Sequence, residues 1–239
     1  MCGRFTLTHP NDALARLFDA APANDLPQPP RYNICPTQAV AVVACAEAGG
    51  GRQLRAMRWG FLPHWYRHAG DGPLLINARA EGIADRPAFR AAVRSRRCLI
   101  PATGFYEWTK DADGRRLPWY LRPAAGDEPL ALAGVWQDWQ APGSDEAPQP
   151  CCAVVTCDAS RDIAAIHHRM PLILPAGDWA LWLGEAGHGA ARLLATPPEG
   201  LLAFHRVAPA VNSNRASGAN LIERLDGQSR PPDRSEDAR

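Results

Sequence analysis

Cys98-Leu99-Ile100-Pro101-Ala102-Thr103-Gly104-Phe105-Tyr106-Glu107-Trp108, followed by Asp111-Ala112-Asp113-Gly114 and then Pro118-Trp119-Tyr120-Leu121-Arg122, is the stretch on which the fold turns. An apolar, aromatic-rich run, a turn built from Asp and Gly, and a second apolar run predict a β-hairpin. Upstream, Ala39 to Cys45 and Gln53 to Trp59 flank Gly49-Gly50-Gly51 and predict another hairpin. Downstream, Leu130 to Trp136 and Cys151 to Cys157 are strand candidates separated by the loop Ala141 to Pro150, and Leu74 to Ala78, Leu172 to Leu174 and Phe204 to Val207 are shorter ones. Helical spacing is confined to brief pieces: Asn11 to Ala20, where Asn11 can cap and Leu14, Leu17 and Phe18 recur on one face, then Pro87 to Arg94, Ser160 to His167, Asp178 to Leu183 and Ala190 to Ala195. Strands that arrive as hairpins, without alternating helices, favour an α+β fold over a doubly wound one: a single β-rich domain with an antiparallel, barrel-like sheet and short peripheral helices. No repeat or internal linker divides it. The domain is expected to span residues 1–228, and residues 229–239, which lack apolar periodicity, form a disordered tail.

The whole-chain arithmetic agrees. At 239 residues, 46% apolar and 21% charged, the chain can bury its own core as an ordinary globular domain. Basic and acidic residues nearly balance at 26 against 25, but Lys110 is the only lysine. Net charge averages over faces, so it neither announces nor excludes a nucleic-acid partner. No apolar run is long enough to span a bilayer and no signal-peptide pattern opens the chain, so a cytoplasmic protein without membrane contact is expected. Seven cysteines, an odd number with no Cys-x-x-Cys pair, fit reduced thiols; adjacent Cys151 and Cys152 would point to opposite faces of a strand and make poor metal ligands.

Several residues could carry chemistry. Removal of Met1 would leave Cys2 with a free α-amine beside its thiol, a 1,2-aminothiol. An α-amine titrates at about 7.7–8.0 and a lysine at about 10.4, so near neutrality the former holds far more reactive free base. Amine and thiolate together can capture an aldehyde, first as an imine and then as a thiazolidine ring. Asn77, Arg79 and Glu81 alternate along one strand face, which suits either a cleft wall or a solvated sheet. Glu107 lies in an aromatic run where burial would raise its pKa and suit it to acid–base work; pairing with an arginine is the equal alternative. Of His167 and His168, adjacent at a helix end, one is expected to act, since imidazole moves protons near neutral pH, and no third ligand supports a metal there. In Trp59-Gly60-Phe61-Leu62-Pro63-His64-Trp65 the first Trp reads as core and the loop as a base-stacking surface. Arg86, Arg90, Arg94, Arg96 and Arg97 gather with only Asp85 close by, a local anion-binding patch or simply a compositional excess of arginine.

Taken in order, Cys2-Gly3-Arg4-Phe5, Arg31-Tyr32-Asn33 with Pro36, Trp59-Gly60-Phe61 with Pro63 and Trp65, Asn77-Ala78-Arg79 with Glu81, Arg97-Cys98-Leu99-Ile100-Pro101-Ala102 with Gly104-Phe105-Tyr106-Glu107-Trp108, and His167 with Arg169-Met170-Pro171 closely resemble the SOS response-associated peptidase family, the abasic-site processing proteins. The resemblance runs over roughly residues 2 to 225 and includes Val211-Asn212 and Leu221-Ile222. It implies a mixed β-rich fold and a monomer that crosslinks through Cys2 to abasic sites in single-stranded DNA, without metal or cofactor. It makes Cys2 the nucleophile, Asn77 a hydrogen-bonding support for the adduct, Glu107 the acid/base residue and His167 a proton donor to the sugar. Arg4, Arg79 and Arg169 take the phosphate-contacting positions, beside Trp65 as a stacking surface, and His168 takes no role. Self-removal of Met1 and strand cleavage at the abasic site are conceivable side activities. Two other readings stay open: a thiol peptidase using Cys2 and His167, and a non-covalent single-strand DNA-binding module.

Overall fold

The computed structural model describes residues 2–46 and 50–225. Met1, residues 47–49 and residues 226–239 fall outside it, and with them Gly49 of the first hairpin, the expected domain end at residue 228 and the tail 229–239. Among the described residues the chain runs β1 (Phe5–Leu7), α1 (Asn11–Phe18), β2 (Ala20–Pro22), β3 (Arg31–Ile34), β4 (Ala39–Cys45), β5 (Arg52–Trp59), β6 (Asn77–Arg79), α2 (Ala92–Ser95), β7 (Arg97–Ala102), β8 (Gly104–Lys110), β9 (Arg116–Pro123), β10 (Leu130–Trp139), β11 (Gln149–Asp158), α3 (Arg161–Ala164), β12 (Arg169–Pro171), α4 (Trp179–Leu183) and β13 (Leu202–Arg206).

The strands form two sheets. In the first, β5, β4, β7, β10 and β11 follow one another in antiparallel register, and β11 then returns to β5 in parallel at Cys151↔Arg58 and Cys152↔Trp59. That last pairing closes a five-stranded mixed barrel, which removes the open edges of a sheet. The second sheet has the order β13-β9-β8-β1-β3. The expected β-rich, barrel-like α+β fold is therefore present, antiparallel except where β11 meets β5 and β6 and where β2 meets β5. β7, β10 and β11 are buried along nearly their whole length, so they are apolar on both faces and show little period-two alternation.

The deciding stretch does not form one strand. It breaks at Thr103, so that β7 stays in the barrel and β8 crosses to the second sheet, where it pairs with β9 in the expected hairpin. Gly104 makes the corner possible: a Cβ there would lie 2.5 Å from the Leu121 carbonyl oxygen and equally close to the Tyr120 ring. Thr103 fastens it through N–H to the Thr6 carbonyl at 2.8 Å.

Several short elements shift from their expected bounds. Asn11 does not cap α1. Pro10 holds that position, and Asn11 Nδ2 donates to the Pro27 carbonyl at 3.2 Å; the helix ends at Asp19 in the left-handed region (φ 48°), which frees Ala20 for β2. The expected strand at Leu74 to Ala78 becomes β6, displaced because Asn77, Ala78 and Arg79 find Val154, Val155 and Thr156 as parallel partners. Likewise β12 replaces the expected strand at Leu172 to Leu174, of which only an Ile173–Leu132 bridge remains. Ser160 to His167 keeps one helical turn in α3, Ala190 to Leu193 is a 3-10 turn, and the expected helix from Pro87 begins as turns that become α2 at Ala92.

Trp59 is core, as expected. Its ring is fully buried, its Nε1 donates to the Ile76 carbonyl at 3.0 Å, and Phe5 meets it edge-on at 5.0 Å. This contact seats the amino-terminal strand of the second sheet on the barrel.

Candidate active site

β1 delivers the amino terminus to the seam between the two sheets. Phe5 faces Phe105 and Thr6 faces Gly104, and the Tyr106 N–H continues the ladder to the Arg4 carbonyl at 2.9 Å. Extending that register places Gly3 opposite Glu107. Cys2 is fully buried, and its carbonyl accepts Asn77 Nδ2 at 2.9 Å. Asn77 sits at the start of β6, fixed by the parallel pairing to β11. Its Oδ1 is buried and has no hydrogen-bond partner among the described residues, so an acceptor is left beside Cys2.

Glu107 is only 2% exposed, and burial holds its carboxyl above the ordinary carboxylate range, with Arg116 pulling weakly the other way. Of the two readings of Glu107, burial dominates over an arginine partner. Burial also pushes the Cys2 thiol far up, and the Glu107 charge adds to the effect, so this sulfur is a protonated thiol that needs a base to act. His167 follows α3. Its Nδ1 receives the Arg169 N–H at 2.9 Å and lies 3.0 Å from the Arg169 carbonyl oxygen; with Nδ1 accepting, Nε2 carries the ring proton.

Two hollows flank the Cys2 backbone. A cleft of about 490 Å³ is lined by Gly3, Arg4, Glu107, Trp108, Arg116 and His167. A groove of about 380 Å³ is lined by Trp65, Tyr66, Asn77, Arg79, Arg86 and Phe89 among others. Cys2 is bonded to Asn77 of the groove and is followed by Gly3 of the cleft. The structure thus brings Cys2, Asn77, Glu107 and His167 together from four separate parts of the chain.

The four expected DNA-contacting residues divide into two kinds. Trp65, 46% exposed, and the exposed Arg79 line the groove. Arg4 instead spends Nη1 on Asn33 Oδ1 at 2.7 Å and the Val211 carbonyl at 2.9 Å. Arg169 is 6% exposed and tied to Glu81 at 2.8 Å, Asp158 at 2.8 Å and the Thr156 carbonyl at 2.6 Å. Glu81 lies beyond the end of β6, in a turn, and does not share the face of Asn77 and Arg79; its task is to hold Arg169. His168 is exposed and its ring stacks on that of His167, centroids 4.4 Å apart and planes 25° from parallel.

Sequence reasoning missed a shelf in the cleft. The Arg116 guanidinium lies 4.5 Å from the Trp108 ring, whose Nε1 donates to Asn212 Oδ1 at 2.7 Å. The hairpin held the signal: Arg116 pairs with Lys110, two residues from Trp108 on the same strand face, and Lys110 also lines the cleft. Among the described residues no three His, Cys, Asp or Glu side chains group as a metal site.

The family model described as SOS response associated peptidase (SRAP) matches residues 1–214. The chain belongs to the SRAP family. Abasic site processing protein YoaM of Bacillus subtilis is 31% identical to this SRAP chain over 230 residues, covering 93% of it and 98% of the relative. Abasic site processing protein YedK of Escherichia coli is 29% identical over 231 residues, with 93% and 99% covered. The crystal structure of a Bacteroides thetaiotaomicron protein shares the fold, with TM-score 0.79 at 19% identity over 94% of the SRAP chain and all of that protein. All six ordered motifs lie inside the matched residues of the SRAP chain.

Proposed function

We propose that the chain, with Met1 removed, captures abasic sites in single-stranded DNA as a covalent adduct of Cys2 and so shields them during the response to DNA damage. The observation that carries this reading is the convergence on Cys2 of Asn77, which bonds its carbonyl, and of Glu107 and His167, which line the cleft that holds Gly3. The names of the relatives, abasic site processing proteins, support it.

The chemistry follows from the groups present. An abasic sugar is a hemiacetal in equilibrium with a little open aldehyde. His167 Nε2–H hydrogen-bonds the ring oxygen and speeds opening, the C1′ hydroxyl proton passing to that oxygen by way of solvent. The Cys2 α-amine adds to C1′, and loss of one water gives the iminium. Asn77 Oδ1 accepts a hydrogen bond from that nitrogen without adding charge. Glu107, its pKa raised by burial, takes the thiol proton as sulfur attacks the same carbon. The ring nitrogen ends neutral and one water has left overall. If ring closure lags, the open iminium permits β-elimination and strand cleavage, a lyase side reaction. Trp65 stacks a base and Arg79 meets phosphate, while Arg4 and Arg169 keep the framework in place. The protein works as a monomer on chromosomal DNA in the cytoplasm.

A peptidase reading finds less support. The Cys2 side chain is wholly buried, which suits a small aldehyde presented by DNA better than a polypeptide chain. The test is a denaturing gel of protein mixed with abasic and intact single strands. An adduct specific to the abasic strand and absent from Cys2→Ala is expected; an adduct that survives Cys2→Ala, or binding to both strands with no covalent product, contradicts the proposal.

A further inference from the structure

Arg86, Arg90 and Arg94 recur at four-residue intervals, and the backbone beneath them is helical: Arg90 N–H bonds to the Arg86 carbonyl at 2.9 Å, Val93 to Phe89 at 2.9 Å and Arg96 to Ala92 at 2.7 Å. They therefore share one face, and all three are exposed. The opposite face carries Phe89 and Ala92, both buried in the core, so the row is held against the body of the protein. Arg86 lines the groove that contains Asn77, Arg79 and Trp65. Arg94, about 12 Å further along at about 1.5 Å per residue, lies at the edge of a separate hollow beside Arg97 and His188.

What sets this row apart is three arginines on one exposed face with no carboxylate among them, since other arginines, Arg58 and Arg122 for example, also lack an ion-pair partner among the described residues. Arg16, Arg52, Arg55, Arg115, Arg161 and Arg169 all have carboxylate partners, whereas among the described residues Arg79, Arg86, Arg90 and Arg94 have none. Like charges stacked on one helical face repel one another, and a solvated face ordinarily mixes signs. A same-sign row that runs out of a groove lined by aromatics fits a linear polyanion. Arg97, by contrast, turns inward to the Val93, Arg94 and Trp182 carbonyls and is not part of it.

We propose that Arg90 and Arg94 hold the phosphates of the strand after it leaves the groove, extending the binding path on one side of the abasic site. This inference rests on the DNA-binding reading above and adds the direction and reach of the flanking strand. Its contacts are to phosphate alone, so they carry no sequence preference and weaken as salt rises.

The experiment uses single strands bearing a tetrahydrofuran in place of the abasic sugar, which has no aldehyde and cannot crosslink. One has its long flank on the 5′ side, the other on the 3′ side. Affinity is measured by fluorescence anisotropy across a salt series for the wild type, for Arg90→Gln/Arg94→Gln and for Arg90→Lys/Arg94→Lys. At about 0.7 counterions released per phosphate on single strands, losing two contacts lowers the slope of log K against log salt by about 1.4. That loss is expected for one flank only, with the lysine pair restoring it. An unchanged slope, an equal loss with both flanks, or weaker binding at an unaltered slope overturns the ridge. Crosslinking to an abasic strand with short flanks separates the two claims. If the glutamine pair still crosslinks while the slope is unchanged, only the ridge fails. If the wild type neither binds nor crosslinks, the proposed function fails with it.

Discussion

At the scale of residues, Glu107 is where burial and function meet. A carboxyl whose folded pKa is raised binds its proton more tightly folded than unfolded. Its contribution to stability is complete below the ordinary carboxylate range and is lost as pH climbs through the raised value. Thermal midpoints of wild type and Glu107→Gln should therefore separate progressively over that window, with the variant relatively more stable at higher pH; parallel curves would contradict the burial account. The same substitution is expected to slow crosslinking by on the order of a hundredfold while leaving affinity for intact single strands near wild type. Equal losses in both would make Glu107 structural. Arg169 makes the opposite case: with its carboxylate partners largely exposed, Arg169→Met is expected to cost about 1–3 kcal/mol in urea unfolding, mainly from the lost charge-assisted hydrogen bond to the Thr156 carbonyl, which keeps only the Ala80 N–H. The reactive types, Cys2 with its neighbouring amine and Glu107 among aromatics, were legible in the sequence because their chemistry is local. That Arg4 and Arg169 are tied into the framework was not, since their partners Asn33, Val211, Glu81 and Thr156 come from other parts of the chain.

At the scale of elements, the corner at Thr103 and Gly104 orients the site, because it turns β8 out of the barrel and brings Glu107 alongside the amino terminus. Gly104→Ala puts a methyl group against the Leu121 carbonyl and the Tyr120 ring, and its cost is expected at about 1–3 kcal/mol by denaturant titration, with crosslinking reduced as the strand shifts. A variant as stable and as active as the wild type would show that the close approach does not govern the bend. The hairpin itself was readable from its turn residues. The corner was not, because the run from Cys98 to Trp108 is mostly apolar with no turn cluster inside it, and the close approach that calls for Gly104 comes from β9. The same reason displaced β6 and β12: each is placed by its partner β11, and a short run without strong alternation has no register of its own.

At the scale of the whole molecule, the barrel closes by the parallel contact of β5 with β11, between segments far apart in sequence, and no local pattern announces such a pairing. Hairpins alone were enough for a barrel-like expectation, while its mixed character came from this long-range closure. The near-zero net charge likewise conceals an arrangement: several arginines pair with carboxylates in the framework, while Arg79, Arg86, Arg90 and Arg94, without a carboxylate partner among the described residues, lie in and beyond the groove. Lys110, the only lysine, lines the same cleft as Glu107 and His167, so its ε-amine is the natural rival to the Cys2 α-amine for an aldehyde. The most direct measurement is the intact mass of protein lacking Met1 after mixing with an abasic single strand, for wild type, Cys2→Ala and Lys110→Arg. The account expects one strand per protein with the loss of one water, unchanged in Lys110→Arg and absent in Cys2→Ala. An adduct that persists without Cys2, or vanishes without Lys110, would contradict it.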